Sequence, residues 1–237
     1  MLKKMICLLL FPLFLIANPA HYEGYLLSSP KSGNTWVRYC IETLTDYDTN
    51  FTQLSPKPEG APIIAKSHSI HPNKAKQLGR EKKLILLVRN YKEILCRYAS
   101  FRKPGLGVGR LNQLLDMIAK KEFHYFHNLE SYDIWDEDKK LLLYYEDIIK
   151  NPRESLEKLV EFLEGDPNTF ETFMERYEEH QKRAIKIYDA NFHGSSTKGK
   201  GTIYHSKKAS PQRLKKIDDL VMTTYPELTE KYLMRYQ

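Results

Sequence analysis

The chain has 237 residues, 41% of them hydrophobic and 12% aromatic, enough to bury one sizeable core and nearer one domain than two. Its formal charge is +7, yet residues 182–216 alone hold ten Lys or Arg against one Asp, so the remainder sums to −2; such local basicity favours an anionic partner, whether a phosphorylated small molecule, a nucleic acid or a membrane surface. Three cysteines (Cys7, Cys40 and Cys96) define no disulfide framework, and no Cys/His spacing suits zinc, so no metal is expected.

In chain order, the first twenty residues, MLKKMICLLLFPLFLIANPA, carry two lysines, an apolar run from Met5 to Ala17 and small residues ending at Ala20. This reads as a secretory signal peptide at 1–20 ahead of a domain at 21–237, because the run is shorter than the roughly 20 apolar residues that span a bilayer. A short uncleaved anchor, with membrane association through residues 5–17, is the alternative. Four short apolar runs without alternation read as strands covered on both faces: Tyr25 to Ser28, Pro62 to Ala65, Leu84 to Val88 and Leu141 to Tyr145. Helical faces lie among them at Val37, Cys40, Ile41 and Leu44, at Tyr91, Ile94, Leu95 and Tyr98, and at Leu156, Leu159, Val160 and Leu163. Cys40 and Cys96 fall on apolar faces of these helices and are expected as buried free thiols. Strands alternating with helices predict a single α/β domain around a central parallel sheet flanked by helices. Stretches 111–131 and 169–187 are helical but too rich in charges and aromatics to divide. Residues 190–211 have three glycines and no apolar period, and read as a long functional loop before a helix starting near Pro211. Asn50-Phe51-Thr52 has the form of a glycosylation acceptor, which has meaning only in a eukaryotic secretory compartment.

The segment SSPKSGNTWVR, residues 28–38, raises the functional question. A strand that ends in a Gly-containing turn and feeds a helix aims several backbone N–H groups and the positive end of the helix dipole at one spot, where anions bind. Lys31 adds a charge, while Ser32, Asn34 and Thr35 add hydrogen-bonding groups around Gly33. The common phosphate-loop spacing is absent, since Lys31 precedes the glycine. An ordinary strand-to-helix connection with Thr35 near its cap is the plain alternative.

These residues resemble the 5′-phosphosulfate loop of the sulfotransferases that use 3′-phosphoadenosine 5′-phosphosulfate, whose usual form is Pro-Lys-Ser-Gly-Thr/Asn-Thr-Trp. Four further blocks follow in that family's order: IIAKSHS at 63–69, LILLVRNYKEILCRYASF at 84–101, LLLYYEDIIKNPRESLEKLVEFL at 141–163 and STKGKG at 196–201. The resemblance implies the P-loop-NTPase-like sulfotransferase architecture. It also implies that the donor is a co-substrate with two anion sites, held by Lys31, Ser32, Gly33, Asn34 and Thr35 on the 5′ side and Arg89 on the 3′ side. Trp36 would stack near the adenine, whatever its part in the core, and Tyr145 would contact the adenine or the floor of the site. Lys198 and Gly199 match two residues of the family's Arg-Lys-Gly triplet, with Thr197 in the arginine's place. Arg97 stands where most relatives have a phosphate-binding serine, and is either a phosphate ligand or a solvated helix arginine.

By the same resemblance His68 is the base that takes the acceptor's proton, a task suited to an imidazole near neutral pH, and Lys31 and Lys66 stabilise the leaving phosphate oxygen. Glu146 and Asp147 are expected to be structural, satisfying loop backbone groups. The acceptor is a small molecule, a carbohydrate or a peptide. Two rivals remain: a nucleotide-dependent phosphotransferase, which lacks its loop spacing and an acidic metal pair here, and a non-catalytic protein binding nucleic acid through residues 182–216. Tyr188, Phe192 and Tyr204 are too dispersed there for a base-stacking surface. The donor is made in the cytosol whereas the leader predicts export, so compartment stays open between a donor-supplied lumen, delivery into another cell and a cytosol-facing anchor.

Overall fold

The computed structural model describes residues 22–50, 57–58, 60–100, 107–191, 206 and 209–237. The leader, Phe51 and Thr52 of the glycosylation triplet, and Lys198 and Gly199 lie outside them. Strands β1 (Tyr22–Ser28), β2 (Ile63–Ser67), β3 (Lys83–Val88) and β4 (Lys140–Tyr144) form one parallel sheet in the order β2-β1-β3-β4. The chain leaves β1 toward β2 on one side and returns to β3 on the other. That reversal puts the crevice where open α/β sheets bind ligands at the carboxyl ends of β1 and β3.

The absence of alternation is explained by packing on both faces. Leu84, Leu86 and Val88 of β3 enter a core with Leu27, whereas Ile85 and Leu87 enter the opposite core with Leu26, Ile64 and Leu143. The second face is covered by α1 (Asn34–Leu44), α7 (Pro152–Phe162), α8 (Pro167–Glu175) and α9 (Tyr177–Asn191). The first is covered by α2 (Pro72–Leu78), α3 (Tyr91–Ser100), α4 (Gly107–Ala119), α5 (His124–Asp133) and α10 (Pro211–Thr224). Helix α6 (Tyr145–Lys150) follows β4 directly.

Several boundaries differ from the sequence reading: β1 starts at Tyr22, β2 runs on to Ser67, and α9 extends to Asn191, two residues into the stretch read as a loop. The helical stretch 111–131 divides into α4 and α5 at Lys121, whose φ of 57° lets the Glu122 N–H close back onto Met117 O at 2.7 Å. The stretch 169–187 divides into α8 and α9 at Arg176. Tyr145 does not end a strand: β4 stops at Tyr144 and Tyr145 opens α6, whose first turn holds Glu146 and Asp147, acids that suit a helix N-terminus. Cys40 is a buried free thiol, as expected, and Cys96 is buried as well. Among the described residues no helix is long and apolar enough to cross a membrane.

Candidate active site

The loop after β1 is built around two residues in the left-handed region, Lys31 at φ 73° and Gly33 at φ 93°. A Ser32 N–H to Ser29 O hydrogen bond of 3.2 Å tightens it, and Asn34, the first residue of α1, donates to Ser28 Oγ at 2.8 Å. Helix α1 therefore starts without a side-chain cap, its first N–H groups turned toward the loop. Ser29 Oγ and Ser32 Oγ are buried and have no hydrogen-bond partner among the described residues. Buried hydroxyls left so are costly unless a ligand or water meets them. An oxyanion seated at this helix start fits that need.

Glycine is required at 33. A Cβ there would lie 2.3 Å from Cδ2 of Tyr145, and the φ disfavours any L side chain. The Tyr145 ring thus closes one side of the loop, and the guanidinium of Arg89 stacks on that ring, 4.1 Å from its centroid. Arg89 follows β3 directly, donates from Nη1 to Lys31 O at 2.9 Å, and lies 3.8 Å from Glu93. Loop, Tyr145 and Arg89 are one packed unit. Arg97 reaches the same unit through Glu93, with Nε 2.5 Å from Oε1. Burial, and then the charge of Arg97, lower the pKa of Lys31, which places these cations within electrostatic range of one another.

His68 follows β2. Its Nδ1 lies 2.8 Å from Ser28 O, and since a carbonyl only accepts, Nδ1 carries the proton and Nε2 keeps its lone pair. Burial lowers the pKa of His68, and the charge of Lys66 adds to this against the opposing Ser28 bond, so the ring is neutral near pH 7. Lys66 lies on the β2 face of Ile64, toward α1, and its pKa is lowered by partial burial and then by Arg38. Trp36 stacks on Tyr39 at 5.5 Å and meets Tyr177 edge-on at 5.7 Å, so the core role is observed.

Lys31, His68, Arg89, Arg97, Gly33 and Tyr145 converge at the carboxyl edge of the sheet. Lys198 and Gly199 lie outside the described residues. Glu146 does satisfy a backbone group, accepting from the Asn90 N–H at 3.0 Å, whereas Asp147 instead pairs with Arg235 of the C-terminus, Nη1 to Oδ2 at 2.8 Å.

Sequence reasoning missed the support behind these residues. From α5, Tyr125 donates to Arg89 O at 2.8 Å, Asn128 to His68 O at 3.1 Å and Ser131 to Ile70 O at 2.7 Å. One helix stripe therefore fixes the backbone at both His68 and Arg89. The signal was present: three hydrogen-bonding side chains spaced by three on a helix otherwise full of core residues. His124, the first residue of α5, bonds the Tyr98 hydroxyl at 3.0 Å.

The model of the sulfotransferase domain matches residues 49–213, more than half of the chain. The chain belongs to the sulfotransferase family. Sulfotransferase 1A1 of Mus musculus is 30% identical over 117 residues, 45% of this chain and 40% of that relative, so the chain spans about two fifths of the length of the curated protein it matches. Solved structures share the fold. A mouse sulfotransferase complexed with PAP superposes with a TM-score of 0.62 at 19% identity, over 91% of this chain and 89% of that one. A retinol dehydratase in complex with androsterone and the inactive cofactor PAP gives 0.57 at 12% identity, covering 86% and 80% of the two chains. The same kind of protein in a complex with retinol and PAP gives 0.56 at 14% identity, covering 85% and 81%. The family match begins at Thr49, so the loop at 29–33 stands on its own geometry.

Proposed function

We propose that this sulfotransferase moves a sulfuryl group from 3′-phosphoadenosine 5′-phosphosulfate to a hydroxyl or amine of an acceptor, with His68 as base. The observation that carries this reading is the Nδ1 contact between His68 and Ser28 O. It sets the tautomer, with the proton on Nδ1 and the basic nitrogen at Nε2, beside the end of the strand that leads into the loop after β1, while burial keeps the ring's pKa low.

The donor supplies an activated sulfur on a phosphate leaving group; the chain supplies the rest. Buried Ser29 and Ser32 hydroxyls, the start of α1 and Lys31 suit its 5′ side. Arg89, held by Lys31 O and the Tyr145 ring, suits its 3′-phosphate together with Arg97. His68 takes the acceptor proton at Nε2, and Lys31 and Lys66 offset negative charge on the leaving oxygen. The PAP complexes of proteins with this fold support the same donor, and the androsterone and retinol complexes support an apolar small-molecule acceptor bearing a hydroxyl.

Incubation of the chain with donor labelled in its sulfur, against phenols, sterols, sugars and peptides, tests the reading. Label should pass to at least one hydroxyl or amine compound. A chain that binds adenosine 3′,5′-bisphosphate but transfers label to none would be a binding protein, and the assignment of activity would fall.

A further inference from the structure

Glu93 is an acid placed among the cations of the proposed donor site, and it is fully buried. Its Oε1 accepts from Arg97 Nε at 2.5 Å and lies 3.8 Å from Arg89 Nη2. Its Oε2 faces the other way and accepts from both the N–H of Ser206, at 2.8 Å, and the Ser206 hydroxyl, at 2.9 Å. One carboxylate therefore joins the two arginines to a chain segment 113 residues further on. A surface helix pair would show neither the burial nor the double backbone and hydroxyl contact.

We propose that Glu93 is a positioning residue of the donor site, which sets the guanidinium of Arg97 beside Arg89 and pins the chain at Ser206 against the same carboxylate. Preference for a 3′-phosphorylated nucleotide then depends on Glu93 as well as on the arginines. The inference rests on the donor reading above. Its physical basis is orientation. Arginine loses much rotamer freedom when it is fixed on a phosphate, and an anchor at Nε, the inner nitrogen, removes that freedom before the ligand arrives. The opposing effect is repulsion between the carboxylate and the phosphate. Anchoring outweighs it here, because the carboxylate accepts from Arg97 and twice from Ser206, so its charge is spread over those donors rather than aimed at the site.

Calorimetric titration of the full chain with adenosine 3′,5′-bisphosphate and with adenosine 5′-monophosphate separates the cases. The unaltered chain should prefer the bisphosphate; no preference there would overturn the donor reading itself, and this inference with it. Given that preference, Glu93→Gln should weaken bisphosphate binding by roughly ten-fold while leaving the monophosphate within about two-fold, the loss expected for misplacing one charge-assisted contact. Glu93→Asp, which keeps the charge, should recover part of the loss. Ser206→Ala should show a smaller selective loss in the same direction, and decides the matter if Glu93→Gln does not fold. Equal weakening of both ligands would mean a merely structural acid, and tighter bisphosphate binding would mean that repulsion dominates; either result overturns the proposal.

Discussion

The Cβ that Gly33 lacks would sit 2.3 Å and 2.4 Å from two ring carbons of Tyr145. The loop after β1 and the start of α6 therefore pack directly against one another where a side chain is missing. Gly60 provides an internal control, with φ 84° and nothing among the described residues within 4 Å of its would-be Cβ. Gly60→Ala should cost only the left-handed backbone term, roughly 1–2 kcal/mol. Gly33→Ala should cost that and about 1–3 kcal/mol more from the clash, and Tyr145→Ala in the same chain should relieve only the second part. Urea denaturation of the three variants checks this; equal losses at the two glycines would show that the Tyr145 contact is soft.

The C-terminal residues hold the Tyr-Glu-Asp block. Tyr236 donates to Glu146 Oε2 at 2.7 Å, while Oε1 of the same acid accepts from the Asn90 N–H just after Arg89. Tyr236→Phe removes one donor from a partly buried carboxylate and should destabilise the chain by roughly 1–3 kcal/mol. Chemical denaturation measures it, and a change below a few tenths of a kcal/mol would mean that water replaces the phenol.

Acid should weaken the fold. His68, His124 and His180 all have pKa values lowered chiefly by burial, with neighbouring cationic or histidine charges adding to it. Each binds its proton more readily when unfolded, so stability is full above the ordinary histidine pKa of about 6.5 and is lost as pH falls through the lower folded values. The midpoint of urea unfolding should therefore drop between about pH 7 and pH 5, and His180→Asn should reduce the slope without touching the site. A flat profile would contradict the burial of these rings.

How far the sequence reveals this molecule depends on which force marks each part. The four strands are legible because sheets covered on both faces need continuous apolar runs, as at Leu84 to Val88. The convergence of Lys31, His68 and Arg89 follows from their places directly after three strands of one parallel sheet. The break at Lys121 is not legible, since a non-glycine residue in the left-handed region carries no composition signal. Glu93 is hidden for another reason: Glu93 and Arg97 at i,i+4 look the same in sequence whether solvated or buried, and only the return of the chain at Ser206 distinguishes them.

The central claim is that His68, neutral and held by Ser28 O, is the base of a sulfuryl transfer. The rate at which labelled sulfur passes from donor to acceptor, measured side by side for the unaltered chain and His68→Ala, tests it most directly. General-base catalysis is worth about 10²–10⁴-fold, so the variant should lose at least about a hundred-fold in kcat while its calorimetric affinity for adenosine 3′,5′-bisphosphate stays within a few fold. Equal transfer rates for the two proteins would contradict the account.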